Sequence, residues 1–243
     1  MPPKEYAIQH QYQTSSTNCS PTALSMLLSY YGSAPSPDEI GQIVPQCTDE
    51  TGKKIGTINQ QLATWCVGEG YTVELITFDC QVIDQSWSGL AAPAVRAKLE
   101  LRKNGWVVPS LGKNWTKEYA AAYLDFLGAG GKLSIQPVVA AKLLYDLLEK
   151  GPFLPCVSYC TLYGAAKSIF VNSQKSQPDD INGKTTTHSI VVYGHDKNGN
   201  FLIADPYERP GLHSIEPDRL LAAISTAQIE CDNLLFQISK PAA

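Results

Sequence analysis

Residues 13–32 read Gln-Thr-Ser-Ser-Thr-Asn-Cys-Ser-Pro-Thr-Ala-Leu-Ser-Met-Leu-Leu-Ser-Tyr-Tyr-Gly, a polar loop that runs into a cysteine and then into a helical pattern. Apolar residues recur at helical spacing after the cysteine, at Leu24, Leu27, Leu28 and Tyr31. Pro21 suits a first helical turn, and Gly32 suits the end of a helix. The stretch therefore predicts an amphipathic helix with a cysteine at its head, and the rest of the chain is interpreted around it.

The position of Cys19 makes it a candidate nucleophile. A thiol at a helix N-terminus lies at the positive end of the macrodipole, close to unpaired backbone N–H groups. Both favour the thiolate, which is the nucleophilic form. Gln13 precedes the cysteine and can offer a side-chain amide to a developing oxyanion. The stretch thus predicts half of a thiol site, whose base must come from elsewhere in the chain.

Composition and charge exclude several classes of protein. The chain has 243 residues, enough for one large or two small domains, and 44% of them are hydrophobic while 17% are charged, so it can bury a substantial core. The net charge of −4 comes without a basic run, which argues against nucleic acid or an anionic membrane as a partner. The N-terminus lacks an apolar signal core and no stretch reaches membrane-span length. We therefore expect a cytoplasmic protein.

The cysteines do not form a recognisable framework. There are seven, an odd number, at irregular spacing and without a Cys-x-x-Cys pair. This argues against a disulfide scaffold and against a structural zinc site, and we expect neither a metal nor a cofactor. Cys156 and Cys160 flank an apolar run and are expected to be buried structural thiols.

Periodicity outlines the remaining elements. Helical patterns cover 36–44, 57–65, 94–104, 117–127, 138–150 and 217–224, and β-rich runs cover 71–78, 153–159, 188–196, 200–206 and 233–239. Residues 1–12 are interpreted as a tail with His10 on the surface, and 172–187 as an exposed loop. Helices first and an antiparallel sheet later predict an α+β fold.

The segment 79–135 is the least regular part of the chain. It is rich in aromatic residues, including Trp87, Trp106, Trp115 and Tyr119. We expect each of them to pack in a core, with a substrate-facing cap as the alternative. The prediction is a single domain over 1–243, in which 79–135 is a helical, aromatic-rich insertion.

A β-hairpin supplies the candidate partners of the cysteine. If Asp196-Lys-Asn-Gly199 forms its turn, His188 lies opposite Tyr207, and Asp205 is a diagonal neighbour of His188 on the same face, at roughly 7–8 Å by backbone geometry. A carboxylate there can accept a hydrogen bond from the imidazole and orient it. A bulge would bring the two side chains closer.

The other histidines fit this role less well. His195 is seven residues from His188, so alternation along a strand places it on the opposite face. His213 follows Pro210-Gly211 in a predicted loop, without a suitably placed carboxylate beside it. His188 and Asp205 are therefore the predicted base and orienting residue.

These motifs together resemble papain-like cysteine peptidases of the bacteriocin-processing kind, the double-glycine leader peptidases of cysteine peptidase family 39 and their stand-alone relatives. The resemblance covers roughly residues 10–65 and 136–206; the matching stretches are Gln-x5-Cys with its helix, Leu-Glu-Lys-Gly-Pro at 148–152, His-Ser-Ile-Val-Val-Tyr-Gly-His-Asp at 188–196 and Phe-Leu-Ile-Ala-Asp-Pro at 201–206. It implies a papain-like fold, in which an N-terminal helical part carries the nucleophile and packs on an antiparallel sheet that carries the histidine and aspartate. It also implies that Cys19 is the nucleophile, His188 the base, Asp205 the orienting residue and Gln13 part of the oxyanion hole.

The chain departs from the family pattern in two respects. Such families usually have glycine after the cysteine, where this chain has Ser20, and a side chain there is expected to affect the oxyanion hole. The sequence also lacks membrane helices and a complete phosphate-binding Gly-x4-Gly-Lys-Ser/Thr loop, so it supports thiol acyl chemistry better than export-coupled leader processing.

Three functional hypotheses follow. The first is a thiol hydrolase that cleaves a peptide or amide bond through a Cys-His-Asp triad and an acyl-enzyme intermediate. The second is acyl transfer or deamidation through the same thioester. The third is a non-catalytic, papain-like binding module. The expected partner is a peptide or a small amide or acyl substrate, and the oligomeric state does not follow from the sequence.

Overall fold

The computed structural model describes residues 2–32, 34–44, 46–48, 52, 54–78, 81–105, 115–172, 175–227 and 233–240. The helices are α1 (Cys19–Ser29), α2 (Pro37–Ile43), α3 (Asn59–Gly68), α4 (Ala92–Asn104), α5 (Trp115–Gly128), α6 (Ala141–Lys150), α7 (Tyr159–Tyr163) and α8 (Pro217–Ser225). The strands are β1 (Lys4–Glu5), β2 (Cys47–Thr48), β3 (Lys54–Gly56), β4 (Thr72–Thr77), β5 (Lys132–Ile135), β6 (Phe153–Ser158), β7 (Ser168–Asn172), β8 (Lys175–Pro178), β9 (Thr187–Ser189), β10 (Val191–His195), β11 (Phe201–Ala204), β12 (Leu212–Ile215) and β13 (Leu234–Ser239).

The helix that carries Cys19 lies inside the molecule rather than on its surface. It begins at Cys19 as predicted, and Asn18 is its N-cap residue. Every residue from Ser20 to Leu28 is buried, so the expected amphipathic character is wrong. Burying a leucine contributes about 1.5–3 kcal/mol, so Leu24, Leu27 and Leu28 anchor α1 firmly behind its first turn.

A single large sheet forms the centre of the fold. Its strand order is β12-β11-β10-β6-β13-β4-β5, with β1 paired to β10 and β9 paired to β6. The pairings within it are antiparallel except that of β4 with β5, which is parallel. The predicted α+β class with a mainly antiparallel sheet is confirmed.

Helices cover both faces of this sheet. One hydrophobic cluster joins α1, α3, α4 and α5 to the first face, and a second joins α6, α7 and α8 to the other. The N-terminal helices therefore pack on the sheet as predicted, and the later helices close the opposite side. No helix among the described residues has both the length and the apolar character needed to cross a membrane.

Two segments interpreted as irregular are ordered by strand pairing. The N-terminal tail contains β1, in which Lys4 pairs with His195 of β10. The predicted loop over 172–187 contains β8, which forms a hairpin with β7. Both interpretations were wrong, because each pairing depends on a partner strand rather than on a strong local β pattern.

The aromatic-rich segment adds to the first face of the sheet. Its helices α4 and α5 pack on each other, and β5 extends the sheet beside β4. Trp87 and Tyr119 are buried in the first cluster and Trp115 packs against it, while Trp106 lies outside the described residues. The described residues of the segment line neither of the two cavities that adjoin Cys19.

Candidate active site

Cys19 is the first residue of α1 and is half-buried. Asn18 shapes the loop before it, because its Oδ1 accepts a hydrogen bond from the backbone N–H of Ser15 (3.1 Å) and its Nδ2 donates to Thr14 Oγ1 (3.0 Å). The Asn18 side chain makes no capping bond to the helix. Because Asn18 does not cap them, the N–H groups of the first turn can stabilise a negative charge on the neighbouring sulfur.

The thiol faces the imidazole of His188. Burial opposes ionisation of Cys19, but the hydrogen bond and the charge of His188, the backbone N–H of Ser189 and the hydroxyl of Ser20 outweigh it. These groups hold the pKa of Cys19 below its ordinary value. The arrangement favours a thiolate next to an imidazolium.

His188 lies on β9, where it pairs with Val157 of β6. Its side chain is buried, and its Nε2 hydrogen-bonds Asp205 Oδ1 at 2.8 Å. Burial lowers the pKa of the imidazole, but the charge and hydrogen bond of Asp205 and the contact with Cys19 raise it above the ordinary value. His188 thus bridges the carboxylate and the thiol.

His188 does not lie in the strand register that the sequence predicts, although its side chain does hydrogen-bond Asp205. His188 does not lie opposite Tyr207 in the hairpin, because the strand breaks at Ile190 and His188 belongs to β9 rather than to β10. Within the hairpin, Val191 pairs with Ala204 as expected, and the register then shifts by one residue. The break lets the His188 ring reach Asp205 directly instead of remaining at diagonal distance.

Asp205 is completely buried and its carboxylate is fully engaged. Oδ1 accepts hydrogen bonds from His188 and from the backbone N–H groups of Tyr207 (2.6 Å) and Glu208 (3.1 Å), and Oδ2 accepts one from the Tyr163 hydroxyl (2.6 Å). Burial disfavours the charge, yet His188 and these donors hold the pKa of Asp205 well below its usual range. The carboxylate is therefore a fixed anion behind the histidine.

The structure brings Gln13 to the same cleft. Its backbone N–H donates to the carbonyl of Pro206 (2.8 Å), which ties the Gln13 loop to the loop of Asp205. Its Nε2 donates one hydrogen to the carbonyl of Ser15 (2.7 Å), and its side chain lines the smaller cavity beside Cys19. An amide nitrogen carries two hydrogens, so one donor remains for a ligand.

Ser20 occupies the position where the family pattern has glycine. Its side chain is buried and turns toward β9, where its Oγ lies 2.8 Å from Ser189 Oγ. The residue takes part in the regular first turn of α1. Its hydroxyl therefore links the cysteine helix to the histidine strand.

Two cavities meet at Cys19 and His188. The larger, of about 430 Å³, is bordered by β3, β7 and the segment before β9, and is lined largely by threonine and serine together with Lys54 and Lys184. The smaller, of about 170 Å³, includes Gln13, Tyr159 and Tyr207. Together they make an open cleft with the sulfur and the imidazole between its two halves.

Three residues of this region were not identified from the sequence. Tyr163 holds the second oxygen of Asp205, and Tyr159, one helical turn earlier in α7, lies edge-on to the His188 ring at 5.9 Å. His10, predicted to be on the surface, donates through Nε2 to the backbone carbonyl of Asp205 (2.8 Å). The i, i+4 spacing of the two tyrosines was the available signal, and nothing local pointed to His10.

The remaining histidines lie away from the thiol. His195 is buried against Tyr145 of α6, on the opposite face of the sheet from α1, as the alternation predicted. His213 lies on β12 and packs beside Tyr163 at 5.6 Å between ring centroids. Cys156 is buried as expected, whereas Cys160 is only half-buried.

Comparisons with known proteins give similarity at the level of structure. No family model matches the chain, and no curated protein matches it in sequence. A crystal structure of a C39-like peptidase from Bacillus anthracis is similar over 100% of both chains, with 11% identity and a TM-score of 0.48. The peptidase domain of ComA from Streptococcus, a bifunctional ABC transporter involved in quorum sensing, is similar over 97% of this chain and 98% of its own, with 14% identity and a TM-score of 0.44. In this chain itself, the helix-borne Cys19 faces the sheet-borne His188, which hydrogen-bonds Asp205.

Proposed function

We propose that the protein is a cysteine peptidase-like hydrolase that cleaves a peptide or amide bond. The observation that supports it is His188, which hydrogen-bonds Asp205 on one side and faces Cys19 on the other within an open cleft. A nucleophile, a base and an orienting carboxylate from three separate elements have complementary roles here.

The first half of the reaction forms an acyl enzyme. The Cys19 thiolate attacks the substrate carbonyl carbon, and the carbonyl oxygen becomes an oxyanion. The backbone N–H of Cys19, unpaired within α1, and the second Nε2 hydrogen of Gln13 are the proposed donors to that oxyanion. Imidazolium His188 gives its proton to the leaving amine as the C–N bond breaks, which leaves a thioester on Cys19.

The second half regenerates the thiol site. Neutral His188 takes a proton from water, and the resulting hydroxide attacks the thioester carbonyl. The C–S bond breaks, the acid product leaves, and thiolate and imidazolium are restored. Asp205 stays ionised throughout and keeps the imidazole in one orientation.

The cleft suits an extended chain. It is open and runs past Cys19 on both sides, with hydroxyl groups and two lysines in its larger half and tyrosines in its smaller half. Both halves reach solvent, so a segment of a longer peptide can lie across the sulfur. We therefore propose a peptide as the substrate rather than a small enclosed amide.

The test is a mass-spectrometric digest of a peptide mixture by the wild-type protein and by Cys19→Ala and His188→Ala. Cys160→Ala is the matched control, because Cys160 is also a half-buried thiol but lies outside the Cys19–His188–Asp205 network. We expect new hydrolysis products with the wild type and the control and none with the other two variants. Cleavage that persists in Cys19→Ala would contradict the proposal. Products that carry an added amine would show that the reaction is acyl transfer and not hydrolysis.

A further inference from the structure

A line of buried polar contacts leads from the core to the sulfur of Cys19. The residues that directly follow the nucleophile and the base, Ser20 and Ser189, are 5% and 2% exposed and lie 2.8 Å apart through their hydroxyl oxygens. Ser189 Oγ lies 3.9 Å from Cys156 Sγ, which accepts a hydrogen bond from Asn59 Nδ2 at 3.1 Å. At the other end, Ser20 Oγ is 4.0 Å from Cys19 Sγ.

The thiolate fixes the direction of this line. A thiolate only accepts, so Ser20 donates its single hydroxyl hydrogen to Cys19 and must itself accept from Ser189. Ser189 then has no second hydrogen, so it accepts from the Cys156 S–H, and Cys156 accepts from the Asn59 amide. The line therefore ends on the one charged group that it contains.

We infer that Asn59, Cys156, Ser189 and Ser20 form a polarised hydrogen-bond chain that stabilises the Cys19 thiolate. Ser20 contacts the sulfur, and the other three are positioning residues that act through it. The inference rests on the proposed function, since it assigns the chain to the same nucleophile. It also gives the serine after the cysteine a role that glycine cannot fill, because glycine lacks the hydroxyl.

Polarisation and distance set the size of the effect. Hydrogen bonds in a buried chain strengthen one another, and a hydrogen bond to a charged group is stronger than a neutral one. The contacts to sulfur are long, so each link transmits only part of the stabilisation. We therefore expect the effect of breaking the chain to fall with distance from Cys19, in the order Ser20, Ser189, Cys156.

Other charged or titratable groups face the sulfur independently of this chain. His188 contacts it from β9 with Asp205 behind, Tyr159 and Tyr207 lie edge-on to the His188 ring, and Lys54 and Lys184 line the larger cavity. Removing the Ser20 hydroxyl leaves all of these in place. A change on its removal therefore reports the chain itself.

The test measures the pH dependence of the ultraviolet absorbance of the Cys19 thiolate, with Cys19→Ala subtracted to remove the other thiols. On the acid side of the titration we expect threefold to tenfold less thiolate in Ser20→Ala, a smaller loss in Ser189→Ala and a still smaller loss in Cys156→Ala. The double variant Ser20→Ala/Ser189→Ala should equal Ser20→Ala, because the first change already cuts the chain. Ser20→Thr keeps the hydroxyl and should retain the wild-type titration.

Controls separate this inference from loss of packing and from the proposed function. Ser25→Ala removes another buried hydroxyl of α1, one that donates to the Pro35 carbonyl, and should leave the titration unchanged. Ser20→Gly serves as a second variant should Ser20→Ala fail to fold. A titration that Ser20→Ala and Ser20→Gly leave unchanged, or additive losses in the double variant, would refute the chain while the peptidase proposal stands. A wild-type thiolate that forms only at the ordinary cysteine pKa would refute both.

Discussion

The helices α1 and α3 pack in the same hydrophobic cluster, and each holds a cysteine near one end, but the pKa values of the two thiols shift in opposite directions. Cys19 lies at a helix N-terminus beside His188, and its pKa is lowered. Cys66 lies near a helix C-terminus beside Glu69, is fully buried, and has a pKa that burial and this negative charge raise. Identical side chains thus differ in how readily each ionises.

The two cysteines show which interactions set the pKa of a thiol in this fold. Burial raises the pKa of both cysteines, so burial alone does not distinguish them. At Cys19 the hydrogen bond and charge of His188 outweigh burial, whereas at Cys66 the charge of Glu69 adds to burial. The substitutions His188→Ala, Asp205→Asn and Glu69→Gln remove these charged groups one at a time.

His188→Ala should have the largest effect on the comparison. Without the imidazole, Cys19 keeps its desolvation and loses its strongest charge partner, so its pKa should rise toward that of Cys66. Loss of the base should also reduce kcat/KM for a peptide substrate by about 10³-fold. Steady-state kinetics of the variant measures this, and a reduction below about tenfold would contradict the role of His188.

Asp205→Asn should have the next largest effect. The amide keeps a similar shape but lacks the charge that stabilises imidazolium, and we expect kcat/KM to fall by about 10²-fold, the low end of the range for general acid–base catalysis. The pKa of His188 should also fall, because Asp205 contributes most to raising it. The basic limb of the pH–rate profile reports this change and should move to lower pH; an unmoved basic limb would mean that Asp205 does not act through His188.

The same substitution should reveal a pH window of stability. A raised histidine pKa stabilises the folded state below about pH 6.5, and this contribution is lost as pH rises through the raised value. A lowered aspartate pKa stabilises the folded state above about pH 3.9, and this contribution is lost as pH falls. Denaturant unfolding should therefore show the greatest loss of stability in Asp205→Asn between about pH 4 and pH 6.5. A difference that does not vary with pH would contradict the ion pair.

Glu69→Gln should have the smallest effect. It removes a negative charge near Cys66, but burial, the larger cause of the raised pKa, remains. We expect the rate of Cys66 alkylation in the folded protein to rise by less than about threefold, because reaction still requires local opening. A rise as large as the difference from Cys19 would mean that charge, not burial, governs Cys66.

The nucleophile half of the site was predictable because its signals are local. The spacing of Leu24, Leu27 and Leu28 and the position of Pro21 placed the helix start at Cys19. The sequence also identified His188 and Asp205 as partners, since His188 begins one β-rich run and Asp205 lies at the end of the next, on either side of a short turn. The structure brings all three residues together, and their catalytic roles remain the proposal made above.

The supporting half was not predictable, because it depends on contacts across the chain. His10 reaches Asp205 over 195 residues of sequence, and β1 pairs with β10 at a similar separation. The strand breaks at Ile190, and His188 lies on β9, which pairs with β6. A hairpin pattern in the sequence does not predict that pairing. Burial of α1 on all sides required knowledge of what surrounds it.

The most direct test of the central claim is the alkylation rate of Cys19 by iodoacetamide across about pH 4 to 10, resolved by peptide mass spectrometry in wild type and His188→Ala. Cys66 is the internal reference. We expect wild-type Cys19 to react well below the ordinary cysteine pKa and much faster than Cys66, and to lose this acid-side reactivity in His188→Ala. A Cys19 that reacts only near its ordinary pKa, at the same rate with and without His188, would contradict the account.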